Sequence, residues 1–122
     1  MSDFYLIVAE DDPFYNKIYK SELKLAGINH VVVENGVQAI EEIKKQKPTL
    51  LLLDLIMPEK DGFEVLEELQ AMDGYEDMSI IVMSNLGQDE DVARAKELGA
   101  KDYFVKANIS LPELLDKIRS YT

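Results

Sequence analysis

The sequence predicts an α/β fold: a doubly wound sheet of five parallel strands in a (βα)5 series, with helices on both faces. Three observations carry this. Short apolar blocks without period-two alternation recur five times, and a strand that is apolar on both sides has to be covered on both sides. Between the blocks lie apolar residues at three- and four-residue spacings, the period of a helix packed along one face. The first and third blocks stop on acid, at Glu10-Asp11-Asp12 and at Asp54, and a parallel sheet brings such strand ends to a single edge.

Taken in order, the first strand spans Phe4 to Ala9. Asp12 then offers a capping side chain before Pro13, a residue tolerated in a first helical turn, and Phe14, Ile18 and Leu25 mark the apolar face of the first helix, which Gly27 stops. His30 to Val33 forms the second strand, and Val37, Ile40 and Ile43 the face of the second helix. Leu50 to Leu53 forms the third strand. Asp61 with Glu64 has capping-box spacing at the start of the third helix, whose face is Phe63, Leu66 and Leu69. Ser79 to Met83 is the fourth strand, followed by a helix through Val92, Ala95 and Leu98 that ends at Gly99. Tyr103 to Val105 is the fifth strand, and Ser110 with Glu113 makes a second capping box before Leu111, Leu114, Leu115 and Ile118.

A length of 122 residues with 47% hydrophobic content fits one domain and one core, so residues 1–122 read as a single domain with no linker, repeat or output domain. The net charge of -11, from 24 acidic and 13 basic residues, argues against a nucleic-acid or anionic-membrane surface, because phosphate binding needs clustered Lys and Arg. A protein partner fits better. There is no cysteine, hence no disulfide or thiolate metal site, and no apolar run nears the roughly 20 residues that span a bilayer. The expected location is the cytoplasm.

With parallel strands, Glu10, Asp11 and Asp54 project from the same edge as Ser84, after the fourth strand, and Lys106, after the fifth. Crowded carboxylates repel unless a cation lies among them, and hard oxygen ligands in this number suit Mg2+ or a similar ion such as Mn2+. Lys106 supplies a positive point charge and Ser84 a rotatable hydroxyl donor, both suited to phosphoryl oxygens. Attack of a carboxylate on phosphorus brings two anions together, so it needs those positive charges close by; Asp54 is the obvious nucleophile.

Leu6-Ile7-Val8-Ala9-Glu10-Asp11-Asp12-Pro13, Asp54-Leu55-Ile56-Met57-Pro58-Glu59-Lys60-Asp61-Gly62, Met83-Ser84 and Asp102-Tyr103-Phe104-Val105-Lys106 together resemble the receiver domains of two-component response regulators, the single-domain chemotaxis type in particular. The resemblance covers essentially the whole chain and implies the flavodoxin-like receiver fold. It implies that Asp54 is the phosphoacceptor, Asp11 a direct metal ligand, Glu10 a ligand through water and the Ile56 carbonyl a backbone ligand. Ser84 and Lys106 would contact the phosphoryl group, and Ser84 with Tyr103 would form the switch. It further implies a phosphohistidine donor on a sensor histidine kinase or histidine phosphotransfer protein, output through the fourth helix, fifth strand and fifth helix to another protein, and a monomer or a phosphorylation-dependent dimer. Such a protein is a signalling switch that catalyses only its own phosphorylation and dephosphorylation.

The chain departs from the family pattern at Ala107, where most receivers carry proline and a cis bond; without proline, cis costs about 2.5 to 4 kcal/mol. Asn85 replaces the small residue usual after the hydroxyl and would either narrow access or add a hydrogen bond. Ile56 and Leu86 are apolar and would flank the path of attacking water, which predicts slow self-dephosphorylation. Two enzyme or cofactor readings compete. A haloacid-dehalogenase-like phosphatase also uses a strand-end aspartate and Mg2+, but needs a second aspartate where Ile56 stands. A flavin module of similar shape wants hydroxyls and Gly after the first strand, where Glu10-Asp11-Asp12 would repel phosphate. A degenerate receiver acting as a scaffold is a third alternative, which the intact acids oppose. Asp12 reads as a cap, and His30, on a strand away from the acids, as structural.

Overall fold

The computed structural model describes residues 3–122. Its elements are β1 (Leu6–Ala9), α1 (Pro13–Leu25), β2 (His30–Val33), α2 (Gly36–Lys45), β3 (Leu50–Leu53), α3 (Gly62–Gln70), β4 (Ser79–Ser84), α4 (Asp89–Glu97), β5 (Asp102–Val105), a 3₁₀ turn at Lys106–Asn108, and α5 (Leu111–Arg119). One sheet of five strands runs in the order β2-β1-β3-β4-β5, every pairing parallel. The chain moves outward from β1 to β2 and then crosses back to β3, so the strand order reverses between β1 and β3. Ligands of doubly wound sheets gather outside the carboxyl ends at such a reversal.

Adjacent residues of one strand point to opposite faces, and each face here has its own core. Ile7, Ala9, Leu51, Leu53, Ile80 and Val82 meet Ile40, Ile43, Val65, Leu66, Leu69 and Ala95 from α2, α3 and α4. Leu6, Val8, Leu50, Leu52, Ile81 and Met83 meet Tyr19, Leu23, Leu114 and Ile118 from α1 and α5. This is why β1 and β3 are apolar at every position: Leu6, Ile7, Leu50, Leu51 and Leu53 are all fully buried.

The expected strands hold with small shifts. β1 starts at Leu6, because Phe4 and Tyr5 are buried but precede the ladder; the Tyr5 carbonyl accepts from Thr49 N at 2.8 Å and Leu50 N at 3.3 Å. β4 runs one residue further, taking Ser84 into the sheet opposite Val105. The larger correction is in α1. Phe14 and Leu25 are exposed (66% and 80%), and the helix buries Asn16, Tyr19 and Leu23 instead. Val37 of α2 is likewise exposed, with Ala39, Ile40 and Ile43 facing the core.

The expected punctuation is present. Asp12 Oδ1 accepts from Phe14 N at 2.9 Å, and both capping boxes form at Asp61/Glu64 and Ser110/Glu113. Gly27 and Gly99 follow their helices at φ 69° and 113°, a region that favours glycine.

Candidate functional site

The β1 and β3 registers are level, Ala9 opposite Leu53, so Glu10 and Asp54 leave the sheet side by side. The backbone fixes both: Glu10 N donates to the Val33 carbonyl at 2.9 Å, and Asp54 N to the Ala9 carbonyl at 3.1 Å. Ser84 ends β4 and Lys106 follows β5 directly. All four are buried, with Asp11 half-buried beside them. Glu10, Asp11 and Asp54 each offer a carboxylate oxygen within 4.8 Å of the others.

The Lys106 ammonium lies among these acids, 2.5 Å from Glu10 Oε1 and 2.9 Å from Asp54 Oδ2. Burial alone would lower its pKa, but the two carboxylates outweigh burial and raise it, so it stays charged. Burial raises the Glu10 carboxyl to about 7, against the lowering effect of its hydrogen bond with Lys106 and with a further push from the Asp54 charge. Three carboxylates and one ammonium leave two formal negative charges, which a divalent cation would balance. Hard oxygen donors of this kind suit Mg2+ or Mn2+. Asp12 is outside the cluster and serves as the α1 cap, as its sequence position predicts.

An open pocket of about 400 Å³ sits over these groups, lined by Asp11, Asp12, Pro13, Asp54, Ile56, Asn85 and Lys106. Ile56 N donates to Asp54 Oδ1 at 3.3 Å while its side chain is exposed at the rim. The loop that carries Ile56 is tied down at its far end. Glu59 takes a left-handed φ of 68°, the Lys60 carbonyl accepts from Gly36 N at 3.0 Å, and Gly62 N donates to the Leu55 carbonyl at 2.9 Å. A Cβ on Gly62 would come within 2.5 Å of the Asp54 carbonyl oxygen, and one on Gly36 within 2.1 Å of the Lys60 carbonyl oxygen. Both glycines are there because backbone approaches backbone.

Ser84 and Tyr103 converge on the next loop. Ser84 Oγ accepts from Leu86 N at 3.3 Å, and the Tyr103 hydroxyl donates to the Leu86 carbonyl. Leu86 packs against the core of the α2/α3/α4 face, so Asn85, not Leu86, joins Ile56 in lining the pocket. The Lys106–Ala107 peptide is trans, as are all the described residues. His30 Nδ1 lies 2.7 Å from the Ile28 carbonyl, a structural contact within its own segment.

Two residues at the site carry no sequence signal. Asn16 is buried, and its Nδ2 donates to the Glu10 carbonyl at 2.9 Å, locking the first turn of α1 to the end of β1. Tyr15 places its ring centroid 4.6 Å from Lys106 Nζ.

A doubly wound parallel sheet with clustered acids, a hydroxyl and a buried lysine at its switch point defines a phosphoacceptor signalling domain. The chain belongs to the response regulator receiver domain family, which matches residues 6–119. It is a receiver domain of two-component signalling, a class of switches and not of enzymes acting on separate substrates. It is similar to sporulation initiation phosphotransferase F of Bacillus subtilis (32% identical, covering 99% of this chain and 94% of that protein) and to chemotaxis protein CheY of the same organism (36%, 83% of each). It is also similar to the probable transcriptional regulator ycf27 of Pyropia yezoensis (34%, 94% of this chain), and spans about half, 46%, of that relative's length. Among solved structures it is similar to the BeF3-activated N-terminal receiver domain of Klebsiella pneumoniae RstA (30% identical, TM-score 0.82, covering 96% of this chain and 97% of that one). The Mn(2+)-bound response regulator Rcp1 is another (25%, TM-score 0.79, 96% and 90%). Family membership removes the phosphatase and flavin readings. No helix among the described residues is long and apolar enough to cross a membrane.

Proposed function

We propose that Asp54 accepts a phosphoryl group from a phosphohistidine of a sensor histidine kinase or a histidine phosphotransfer protein. The observation that supports this most strongly is the Lys106 ammonium, buried and 2.9 Å from Asp54 Oδ2, with three carboxylates gathered around the same point. An Asp54 oxygen forms the new bond to phosphorus, the P–N bond to the imidazole breaks, and the imidazole leaves with its electron pair. Glu10, Asp11, Asp54 and the Ile56 carbonyl would hold Mg2+, with Mn2+ an alternative. The ion supplies charge neutralisation between the carboxylate and the incoming phosphoryl oxygens. Lys106 would offer its N–H groups to the phosphoryl oxygens, and Ser84, fully buried at the end of β4, would offer its hydroxyl. The domain thus catalyses its own modification.

Ser84 and Tyr103 both hold Leu86, so a phosphoryl group that draws the Ser84 hydroxyl changes what the loop before α4 is tied to. The face of α4, β5 and α5 would carry that change to a downstream protein, by altered monomer contacts or a phosphorylation-dependent dimer. Residues 1–122 would act as one receiver domain in the cytoplasm, on protein partners and not on nucleic acid directly. Uptake of beryllofluoride with Mg2+, followed by the backbone NMR spectrum, tests the assignment: binding is expected in the native chain and lost in Asp54→Asn. Retention in Asp54→Asn overturns it.

The apolar Ile56 side chain at the pocket rim would exclude attacking water, giving slow self-dephosphorylation. Ile56→Asn is expected to speed loss of the phosphoryl group about tenfold, or about 1.4 kcal/mol of barrier. Leu86→Asn should do less to water access, because Leu86 packs inward. Decay of the phosphorylated species followed by intact mass checks both, and an unchanged rate in Ile56→Asn contradicts the steric account.

A further inference from the structure

Lys106 is held from three sides, and only two are carboxylates. An ammonium carries three N–H donors. Two point to Glu10 Oε1 and Asp54 Oδ2, at 2.5 and 2.9 Å, and on the remaining side the Tyr15 ring centroid lies 4.6 Å away. That is within the roughly 6 Å over which a ring face attracts a cation. A narrow, mostly apolar groove of about 120 Å³ lies between α1 and α5, lined by Lys106 and Tyr15 together with Ile18, Tyr19, Leu111 and Leu114. The ring and the lysine therefore share one wall of the groove.

The ring is itself fixed. It packs edge-on to Phe14 at 5.4 Å and against the buried Tyr19 at 6.1 Å. The turn beneath it is capped by Asp12 and tied to β1 through Asn16. We propose that Tyr15 is a positioning residue whose ring keeps the Lys106 ammonium at the phosphoryl site. This rests on reading Lys106 as a phosphoryl contact. Once Asp54 is an acyl phosphate, its linking oxygen no longer bears a full charge and loses its grip on Lys106, leaving Glu10 and the phosphoryl oxygens to compete for the ammonium. A ring on the third side retains the cation without supplying an oxygen acceptor that would join this competition.

The test compares Tyr15→Leu, Tyr15→Phe and Lys106→Met for Mg2+ affinity by calorimetry and for beryllofluoride affinity in saturating Mg2+. Tyr15→Leu is expected to weaken beryllofluoride binding about three- to tenfold with Mg2+ affinity within about twofold of native, as for a half-buried ring whose contact falls between the exposed and the fully desolvated case. Tyr15→Phe keeps the ring and is expected to restore native binding. Added to Lys106→Met, Tyr15→Leu should do nothing further, since neither partner then remains. An independent readout needs no variant: the Lys106 ε-protons of the native protein should resonate upfield from the face of the ring. Native beryllofluoride affinity in Tyr15→Leu, equal impairment in Tyr15→Phe, or unshifted ε-protons overturns the positioning role. If Lys106→Met binds beryllofluoride as tightly as the native chain, the reading of Lys106 fails and the Tyr15 role fails with it. A weakened Lys106→Met beside a native-like Tyr15→Leu removes Tyr15 alone.

Discussion

Lys106→Met should destabilise the metal-free protein by about 3–5 kcal/mol, the usual consequence of removing one member of a buried, hydrogen-bonded ion cluster. Met matches the length of the lysine stem, so packing in the α1/α5 region is preserved and the loss is electrostatic. Glu10 and Asp54, both buried, would face each other and Asp11 with no ammonium among them. The loss should depend on pH. Glu10 in the native fold already binds its proton up to about 7, above the value of 4.5 for a free side chain, and without Lys106 its pKa moves higher. A carboxyl raised on folding holds more protons folded than unfolded, so its contribution to stability is full below the unfolded pKa and falls as pH rises through the folded one. Urea denaturation in EDTA should therefore show a larger difference between native and Lys106→Met at pH 8 than at pH 5. Saturating Mg2+, which supplies the missing positive charge, should narrow it. A difference that does not change with pH contradicts this account of the pocket.

Gly62→Ala should lower stability by about 1–3 kcal/mol and impair the site at the same time, an effect out of proportion to one methyl group. The new Cβ would lie 2.5 Å from the Asp54 carbonyl oxygen and 2.6 Å from the Leu55 Cα, both backbone atoms that cannot rotate aside. Either α3 retreats, breaking the Gly62 N to Leu55 carbonyl bond and the capping box at Asp61, or the end of β3 shifts and carries Asp54 with it. Gly27→Ala is the control. Its Cβ meets nothing within 4 Å, so its cost comes only from the left-handed φ of 69° and the acidic pocket is untouched. Denaturation midpoints together with acetyl-phosphate labelling rates check the contrast: Gly62→Ala should lose both stability and labelling rate, Gly27→Ala stability alone.

The sheet was legible because a parallel strand buried on both faces leaves an unbroken apolar run, as β1 and β3 do, and because Asp12, Asp61 and Ser110 announce their helices. The acids, Ser84 and Lys106 were legible for a related reason: strand ends of a parallel sheet must meet at one edge, so their convergence follows from topology. The face of α1 was not. Phe14, Ile18 and Leu25 have the spacing of a buried stripe, yet Asn16, Tyr19 and Leu23 face inward. Asn16 is drawn in by the Glu10 carbonyl, a backbone acceptor that no hydrophobic pattern reports. The Gly36 contact with Lys60 and the Tyr15 contact with Lys106 were hidden for the same kind of reason. Each joins segments distant in sequence through a direction in space, and direction is set only when the helices dock. Leu86 shows the converse error, since a position two residues beyond Ser84 suggests access to the pocket while the loop turns the side chain into the core.

Chemical trapping tests most directly whether Asp54 is the phosphoacceptor and works through a divalent cation. The chain would be incubated with acetyl phosphate and Mg2+, the acyl phosphate reduced with borohydride, and the resulting homoserine located by peptide mass sequencing. Homoserine at position 54 alone, and none when EDTA replaces Mg2+, is the expected result. Reduction at Glu10, Asp11 or any other carboxylate, or undiminished labelling in EDTA, would contradict the claim.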